Sequence, residues 1–160
     1  VEQEVVTGIA YSKDEAQISI RRVPDKPGVA AAVFVPLAEA NVNVDMIVQN
    51  IAADGAETDI TFTCPAIDCD RAKAVIEERA AAIGYQSLEA ATGMCKVSVI
   101  GVGMRSHAGV AAQAFKALST KGINIRAITT SEIKISVLID EAYTELAVRT
   151  LHSVYGLDKA

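Results

Sequence analysis

Few groups in this sequence can do chemistry, and most of them fail on spacing. Histidine occurs only as His107 and His152. They form no H-x-x-x-H pair, so a metal site of that kind is not expected. His152 falls in a helical stretch and reads as a surface residue. Ser106 precedes His107, but sequence neighbours seldom aim at one another and no orienting acid is evident, so the pair is no catalytic triad. The phosphate-cradling pattern G-x-x-x-x-G-K-[ST] is missing. Gly101-Val102-Gly103 opens like a dinucleotide fingerprint, yet Ser106 stands where the third glycine belongs, and the order of elements is wrong for that fold. The three cysteines, Cys64, Cys69 and Cys95, contain no C-x-x-C pair. An odd count fits reduced thiols better than a disulfide frame. Cys64 and Cys69 are near enough in sequence for a redox pair, and incidental buried thiols are the simpler reading.

What remains is binding chemistry at two loops, Pro24-Asp25-Lys26-Pro27-Gly28 and Gly103-Met104-Arg105-Ser106-His107-Ala108-Gly109. Each ends in glycine at the expected mouth of a helix. Free backbone N–H groups and the positive end of the helix dipole can hold a carboxylate there. Gly28 and Gly109 allow close approach because no Cβ intervenes. Asp25 can receive an ammonium group, and Gln49 can both donate and accept. An α-amino acid carries the matching charges. On physics alone, Pro24–Gly28 is as readily a tight turn that starts a helix.

The elements behind these loops come as a repeat. Sliding the chain by 81 residues lays Gly28-Val29-Ala30-Ala31 on Gly109-Val110-Ala111-Ala112. The same offset matches Phe34 to Phe115, Leu37 to Leu118 and Asn43 to Asn124, with Val42 and Val44 on Ile123 and Ile125. One fixed offset implies two copies of one supersecondary unit. In the first copy a strand through Ile18, Ile20 and Val23 leads to a helix that ends near Ala40. Val29, Val33, Phe34 and Leu37 give that helix one apolar face. Pro36 predicts a kink or an early end, since a mid-helix proline removes a hydrogen bond. Val42, Val44, Met46 and Val48 alternate as a strand, and Asp54-Gly55 turns it into a second run through Thr58, Ile60 and Phe62. A helix with Ala72, Val75, Ile76 and Ile83 on one side follows, and Tyr85 to Ala90 closes the unit. That order is βαββαβ, the ferredoxin-like α+β pattern.

The second copy runs from Val97–Ile100 through a helix to Lys121, strands at Ile123–Thr129 and Ile133–Ile139, and a helix carrying Val148, Leu151 and Tyr155. Too little chain follows for its closing strand. Val5, Thr7, Ile9 and Tyr11 alternate at the other end, so residues 4–11 are expected to complete the second sheet; a linker remnant is the other reading. Without that strand the sheet would expose a backbone edge. The first unit, 14–92, would then be inserted in a second unit made of 1–13 and 93–160.

Bulk properties exclude several classes. Half of the residues (51%) are apolar and 22% charged, which is a globular mixture. No apolar run approaches the ~20 residues of a membrane span. The start, Val1-Glu2-Gln3-Glu4, lacks the regions of a signal peptide, and opening on Val1 suits a processed product or an excised segment. A net charge of −5 and the absence of tryptophan argue against a nucleic-acid partner.

At these residues the chain resembles the paired ACT domains of the aspartokinases. The resemblance rests on VTGIA at 6–10, PDKPGVAA at 24–31, NVNVDMIVQN at 41–50, TDITFTC at 58–64, GMRSHAGVAA at 103–112 and TTSEIKISVLI at 129–139, in order along nearly the whole chain. It implies two ACT domains with the first inserted in the second, and allosteric feedback inhibition by lysine, threonine or both. The implied effector positions are Asp25, Gly28, Val29, Ala30 and Gln49, faced by Asn124 and Ile125 of the second unit. A pseudo-equivalent site would use Ser106, His107, Ala108, Gly109 and Val110, with Val44, Asp45, Ser131, Glu132 and Arg105 as additions. Val29, Ala30, Val110 and Ile125 are equally explained by core packing.

The resemblance also implies a homodimer through the ACT domains, a cytoplasmic location, and a kinase domain or alpha subunit as partner. The kinase motifs are absent, so no catalytic residue and no cofactor are expected in this chain. ATP and magnesium belong to the missing kinase domain. An ACT-type subunit of another amino-acid biosynthetic enzyme, such as acetolactate synthase, is the alternative; VTGIA and SEIKISVL speak against it.

Overall fold

The computed structural model of the chain describes residues 5–51, 55–102 and 108–158. Its strands are β1 (Val6–Pro24), β2 (Asp45–Ile51), β3 (Glu57–Pro65), β4 (Ser87–Gly101), β5 (Ala127–Thr130) and β6 (Lys134–Asp140). Its helices are α1 (Val29–Glu39), α2 (Cys69–Glu78), the single turn α3 (Ala80–Ile83), α4 (Ala108–Thr120) and α5 (Thr144–Val154). Contacts divide the chain into a first unit, Asp14–Thr92, and a second unit made of the residues up to Lys13 and from Gly93 onward.

In the first unit the strand order is β2-β3-β1-β4. Ile18↔Phe62 and Ile20↔Ile60 are cross-strand partners of β1 and β3, so their side chains share one face. That face meets Val33 and Leu37 of α1 with Ala72 and Ile76 of α2 in one buried core. Phe34 packs edge-on against Phe62 at 5.5 Å between ring centroids, a geometry that favours aromatic pairs. In the second unit the order is β1-β4-β6-β5. There Val97↔Val137 and Val99↔Ile135 pair and pack with Val110, Ala114, Leu118, Ala147 and Leu151. Both units are thus ferredoxin-like βαββαβ folds, as the repeat implied.

Five expectations need correction. The strands near 4–11 and 18–23 are one strand, β1, and those near 85–90 and 97–100 are one strand, β4. Polar residues did not end them because ladder partners continue, as at Glu15↔Pro65; Asp14 (φ 59°) and Gly93 (φ 75°) each insert one left-handed residue. Pro36 does not end its helix, and α1 runs on to Glu39. The strand expected from Val42 starts only at Asp45, and the one expected from Ile123 starts only at Ala127.

The reason for the late starts is shared by both copies. Asn41 and Gly122 adopt left-handed backbone, φ 58° and 73°. The following amides reach back to close each helix: Val42 N–H donates to the Leu37 carbonyl and Ile123 N–H to the Leu118 carbonyl, both at 3.0 Å. This is the helix-ending motif in which an apolar residue after the left-handed position packs on the last turn. Val42 and Ile123 are buried accordingly. The repeat seen at Leu37/Leu118 and Val42/Ile123 is therefore a repeated helix stop.

Candidate functional site

The first mouth lies where β1 gives way to α1. Bulging between Ile20 and Val23 shifts the register, with Arg22 at φ 55°. Arg22 N–H donates to Asp59 Oδ1 at 2.8 Å, and its guanidinium pairs with Glu57 at 2.8 Å. Asp25 N–H then donates to the Ala56 carbonyl at 3.0 Å, which ties the loop to the β2–β3 hairpin. Gly28 is the N-cap of α1 at φ 93°, a conformation that only glycine adopts without strain. Nothing lies within 4 Å of the position its Cβ would take, so the approach to the mouth is open.

Ala32 N–H donates to the Gly28 carbonyl at 2.9 Å and opens the helical ladder, while Val29 N–H turns to Lys26 at 3.3 Å. The amides of Ala30 and Ala31 precede the ladder and have no intrahelical acceptor. Asp25, Gly28 and Ala30 are exposed at the rim, and Val29 is buried in the core. Asp25 enters no ion pair among the described residues. The mouth therefore offers amides for a carboxylate beside an unpaired acid for an ammonium group.

Gln49 is exposed on β2 opposite Ile60, on the sheet face that carries the core. Asp25 follows the Pro24↔Glu57 pair, three ranks further along. Strand spacings put Gln49 and Asp25, one residue beyond that pair, about 13 Å apart along the sheet and about 10 Å across it. Gln49 is thus brought to the same face but not into the loop. Val44 packs against the core, and Asp45 opens β2 opposite Thr63.

The second mouth repeats the plan. β4 ends at Gly101, whose N–H donates to the Ile133 carbonyl at 2.9 Å, and Val102 N–H donates to the Val5 carbonyl at 2.9 Å. The β5–β6 turn beside it is closed by Ser131 N–H on the Lys134 carbonyl at 2.8 Å. Ser131 and Glu132 are exposed on this turn, the counterpart of the hairpin that holds Asp25. Ala108 and Gly109 are exposed in the first turn of α4 and Val110 is buried. Arg105, Ser106 and His107 lie outside the described residues. Gly109 is not equivalent to Gly28: it sits inside the helix, one residue past its start.

Asn124 and Ile125 lie at the other end of α4. They line a depression of about 410 Å³ with Phe115, Ser119, Gly122 and Ile123. Thirteen helical residues separate them from the mouth, about 20 Å at the α-helical rise. Within the second unit they therefore belong to a different surface from Ala108, Gly109 and Val110.

Two grooves of the second unit had no signal in the sequence, because they join segments far apart in the chain. One, of about 540 Å³, sets Tyr11 and Lys13 of β1 against Glu145, Arg149 and His152 of α5. His152 is half-buried there. The other, of about 780 Å³, runs between α4 and α5 past Lys116, Lys121 and Arg149. No group of acids, histidines and cysteines among the described residues is placed to hold a metal.

Cys64, Cys69 and Cys95 are free and buried. Burial, with Cys69, Asp68 and Glu15 nearby, pushes the Cys64 thiol up to about 12. Burial likewise raises Cys69 and Cys95. Raised thiols are poor nucleophiles.

Comparison with known proteins agrees with this fold. ACT domain models match residues 16–84 and 97–155. An aspartokinase of Pseudomonas aeruginosa is 52% identical over 158 residues, covering 99% of this chain and 38% of that protein; the chain thus spans well under half the length of such relatives. Among solved structures, a chain of the aspartokinase alpha and beta subunits superposes with a TM-score of 0.87 at 50% identity, covering 94% of this chain and 99% of that one. The ligand-free regulatory subunit of aspartate kinase from Thermus thermophilus gives a TM-score of 0.86 at 39% identity, covering 94% and 98%. With two ACT folds in succession and a full-length match to a regulatory subunit, this chain belongs to the aspartokinase family as its tandem ACT regulatory module.

Proposed function

We propose that the module binds lysine, threonine or both and transmits their presence as feedback inhibition of aspartate phosphorylation. The observation that carries this reading is the first mouth: unsatisfied amides at the start of α1 stand beside the exposed carboxylate of Asp25 in a loop pinned by Asp25 N–H on Ala56. That pairing complements the two charges shared by every free amino acid. The α-carboxylate would meet the amides of Ala30 and Ala31, and the ammonium group would meet Asp25. Gln49, Asn124, Ile125, Ser131 and Glu132 are the further contacts, with Ser106, His107, Ala108, Gly109 and Val110 at the second mouth.

Occupancy can bias the enzyme only through a difference in affinity between two arrangements, typically ~1–3 kcal/mol. The catalytic partner in this reading is a kinase domain or alpha subunit, which alone would use ATP and magnesium. A solved relative comprises alpha and beta subunits, which supports such an assembly. Self-association as a homodimer would use the open edge strands β2 and β5, where Ile47 and Ile128 are exposed, because unpaired edges invite strand pairing. A cytoplasmic setting agrees with three free thiols.

Calorimetric titration of this chain with lysine, with threonine and with both together tests the reading. Saturable heat with at least one of them is expected. No heat with either at millimolar concentration would overturn it.

A further inference from the structure

We propose that the groove between α4 and α5 of the second unit binds an organic polyphosphate, held by Lys116, Lys121 and Arg149. Such a site is independent of the amino-acid reading above. The groove has a volume of about 780 Å³, within the range of small-molecule sites. Ala117 of α4 with Leu146 and Val154 of α5 give it an apolar floor, and the three cations stand exposed around it. Among the described residues no acid lines it, and Lys116, Lys121 and Arg149 enter no ion pair. The acids Glu145 and Asp158 line the neighbouring groove on the β1 side of α5. In a chain of net charge −5, three uncompensated cations in one concavity reverse the local sign and focus the field on an anion.

The duplicated fold shows that packing does not require these cations. An offset of 81 residues carries α1 onto α4, and matching the first residues of α2 and α5, Cys69 and Thr144, carries one onto the other. Buried positions keep their character: Val33, Leu37, Ala72 and Ile76 correspond to Ala114, Leu118, Ala147 and Leu151, all buried. Groove positions do not. Lys116, Lys121 and Arg149 stand where the first unit has Val35, Ala40 and Ala74, and Thr120 and Ser153 stand where it has Glu39 and Glu78. Leu146 and Val154 correspond to Arg71 and Arg79, of which Arg71 is neutralised by Asp68 at 2.9 Å. One fold thus carries two outer surfaces, and only the second gathers unpaired cations over an apolar floor.

The ligand class follows from what the groove offers. Lysine and arginine side chains are donors without acceptors. The Thr120 and Ser153 hydroxyls already donate, to the Lys116 carbonyl and to Asp158, both at 2.9 Å. A complementary ligand is therefore rich in acceptors and carries several negative charges; a single carboxylate would neutralise one cation of three. Lys116 and Lys121 lie about 7.5 Å apart along α4 at the helical rise, and α5 runs about 8–10 Å away. Long side chains from these points can converge on a chain of phosphates, where Arg149 presents its fork to two oxygens at once. The apolar floor is left for the body that bears the phosphates.

Amide shifts of the labelled chain, recorded with ATP and with inorganic tripolyphosphate in the absence of divalent metal, test the site. Saturable changes are expected at 113–121 and 146–154 with both compounds, and those at Leu146 and Val154 should be larger with ATP. Affinity should fall several-fold as ionic strength rises from 0.01 to 0.15 M, over which the Debye length shortens from about 30 Å to about 8 Å. Lys116→Gln and Arg149→Gln should each weaken binding about two- to fivefold, the range of exposed ion pairs. Arg79→Gln, which removes one exposed cation from the first unit, should leave it unchanged. All three side chains are exposed, so unaltered melting temperatures confirm that each variant is folded. No saturable shift with either compound at millimolar concentration, or affinity unmoved by both groove substitutions, would overturn the site. ATP shifts that leave out Leu146 and Val154 would overturn the role of the floor. A glutamate-rich peptide that shifts these residues where both phosphate compounds fail would overturn the ligand class in favour of a protein partner.

Discussion

At the scale of single residues, the mouth amides and Asp25 divide the work of recognising a zwitterion. Asp25 is exposed and bears no part of the core, so Asp25→Ala should leave the melting temperature within about 1–2 °C. It should weaken effector binding about tenfold or more, since a charge-assisted contact is worth ~1.5–3 kcal/mol. Parallel calorimetry and thermal melts check both halves. The thiols make the opposite case. With Cys64 pushed up to about 12 by burial, its thiolate is scarce at pH 8. A disulfide reagent should leave Cys64 unmodified in the folded protein and modify it on unfolding in urea; rapid modification without denaturant would refute its burial. Asp25 and Gly28 were legible as a loop and helix start because acid, proline and glycine act locally. The hydrogen bond from the Tyr155 hydroxyl to the Val110 carbonyl was not, because the two are 45 residues apart and a tyrosine at a helix end has an ordinary apolar role.

At the scale of elements, the alternation of apolar residues located every strand but misplaced its ends. Val42 and Ile123 continue the period of the strands that follow them, yet each is used to close a helix through Asn41 or Gly122. Tertiary partners likewise extended β1 and β4 through polar stretches that read as breaks. Two substitutions follow from this level. Gly101 gained no meaning from the dinucleotide-like string that contains it, but a Cβ there would stand 1.8 Å from the Val5 carbonyl oxygen. Gly101→Ala should therefore cost ~2 kcal/mol or more by displacing the start of β1 from β4, measured by urea unfolding. Pro36 lies inside α1 and withholds an N–H from its ladder. Pro36→Ala should raise stability by ~1–3 kcal/mol if the helix is otherwise unstrained, and a loss of stability would show that the ring's contacts matter more.

At the scale of the whole molecule, two copies of one fold present two versions of the same mouth, each beside its own hairpin. The duplication was legible from a single offset. The inequality of the copies was not, because Gly28 and Gly109 align in sequence but occupy a cap in one unit and a helix interior in the other. Binding to the native state alone should stabilise the protein by an amount that grows with the logarithm of effector concentration. Melting temperatures measured over a lysine or threonine series should rise accordingly, and an effector without such a rise would not be a ligand of the folded module. Amino-acid binding at the mouths is tested by mapping amide shifts while lysine or threonine is added to the labelled chain. The largest changes are expected at residues 25–32 and 108–112. Changes confined to the grooves beside Arg149, or none at millimolar effector, would contradict binding at the mouths.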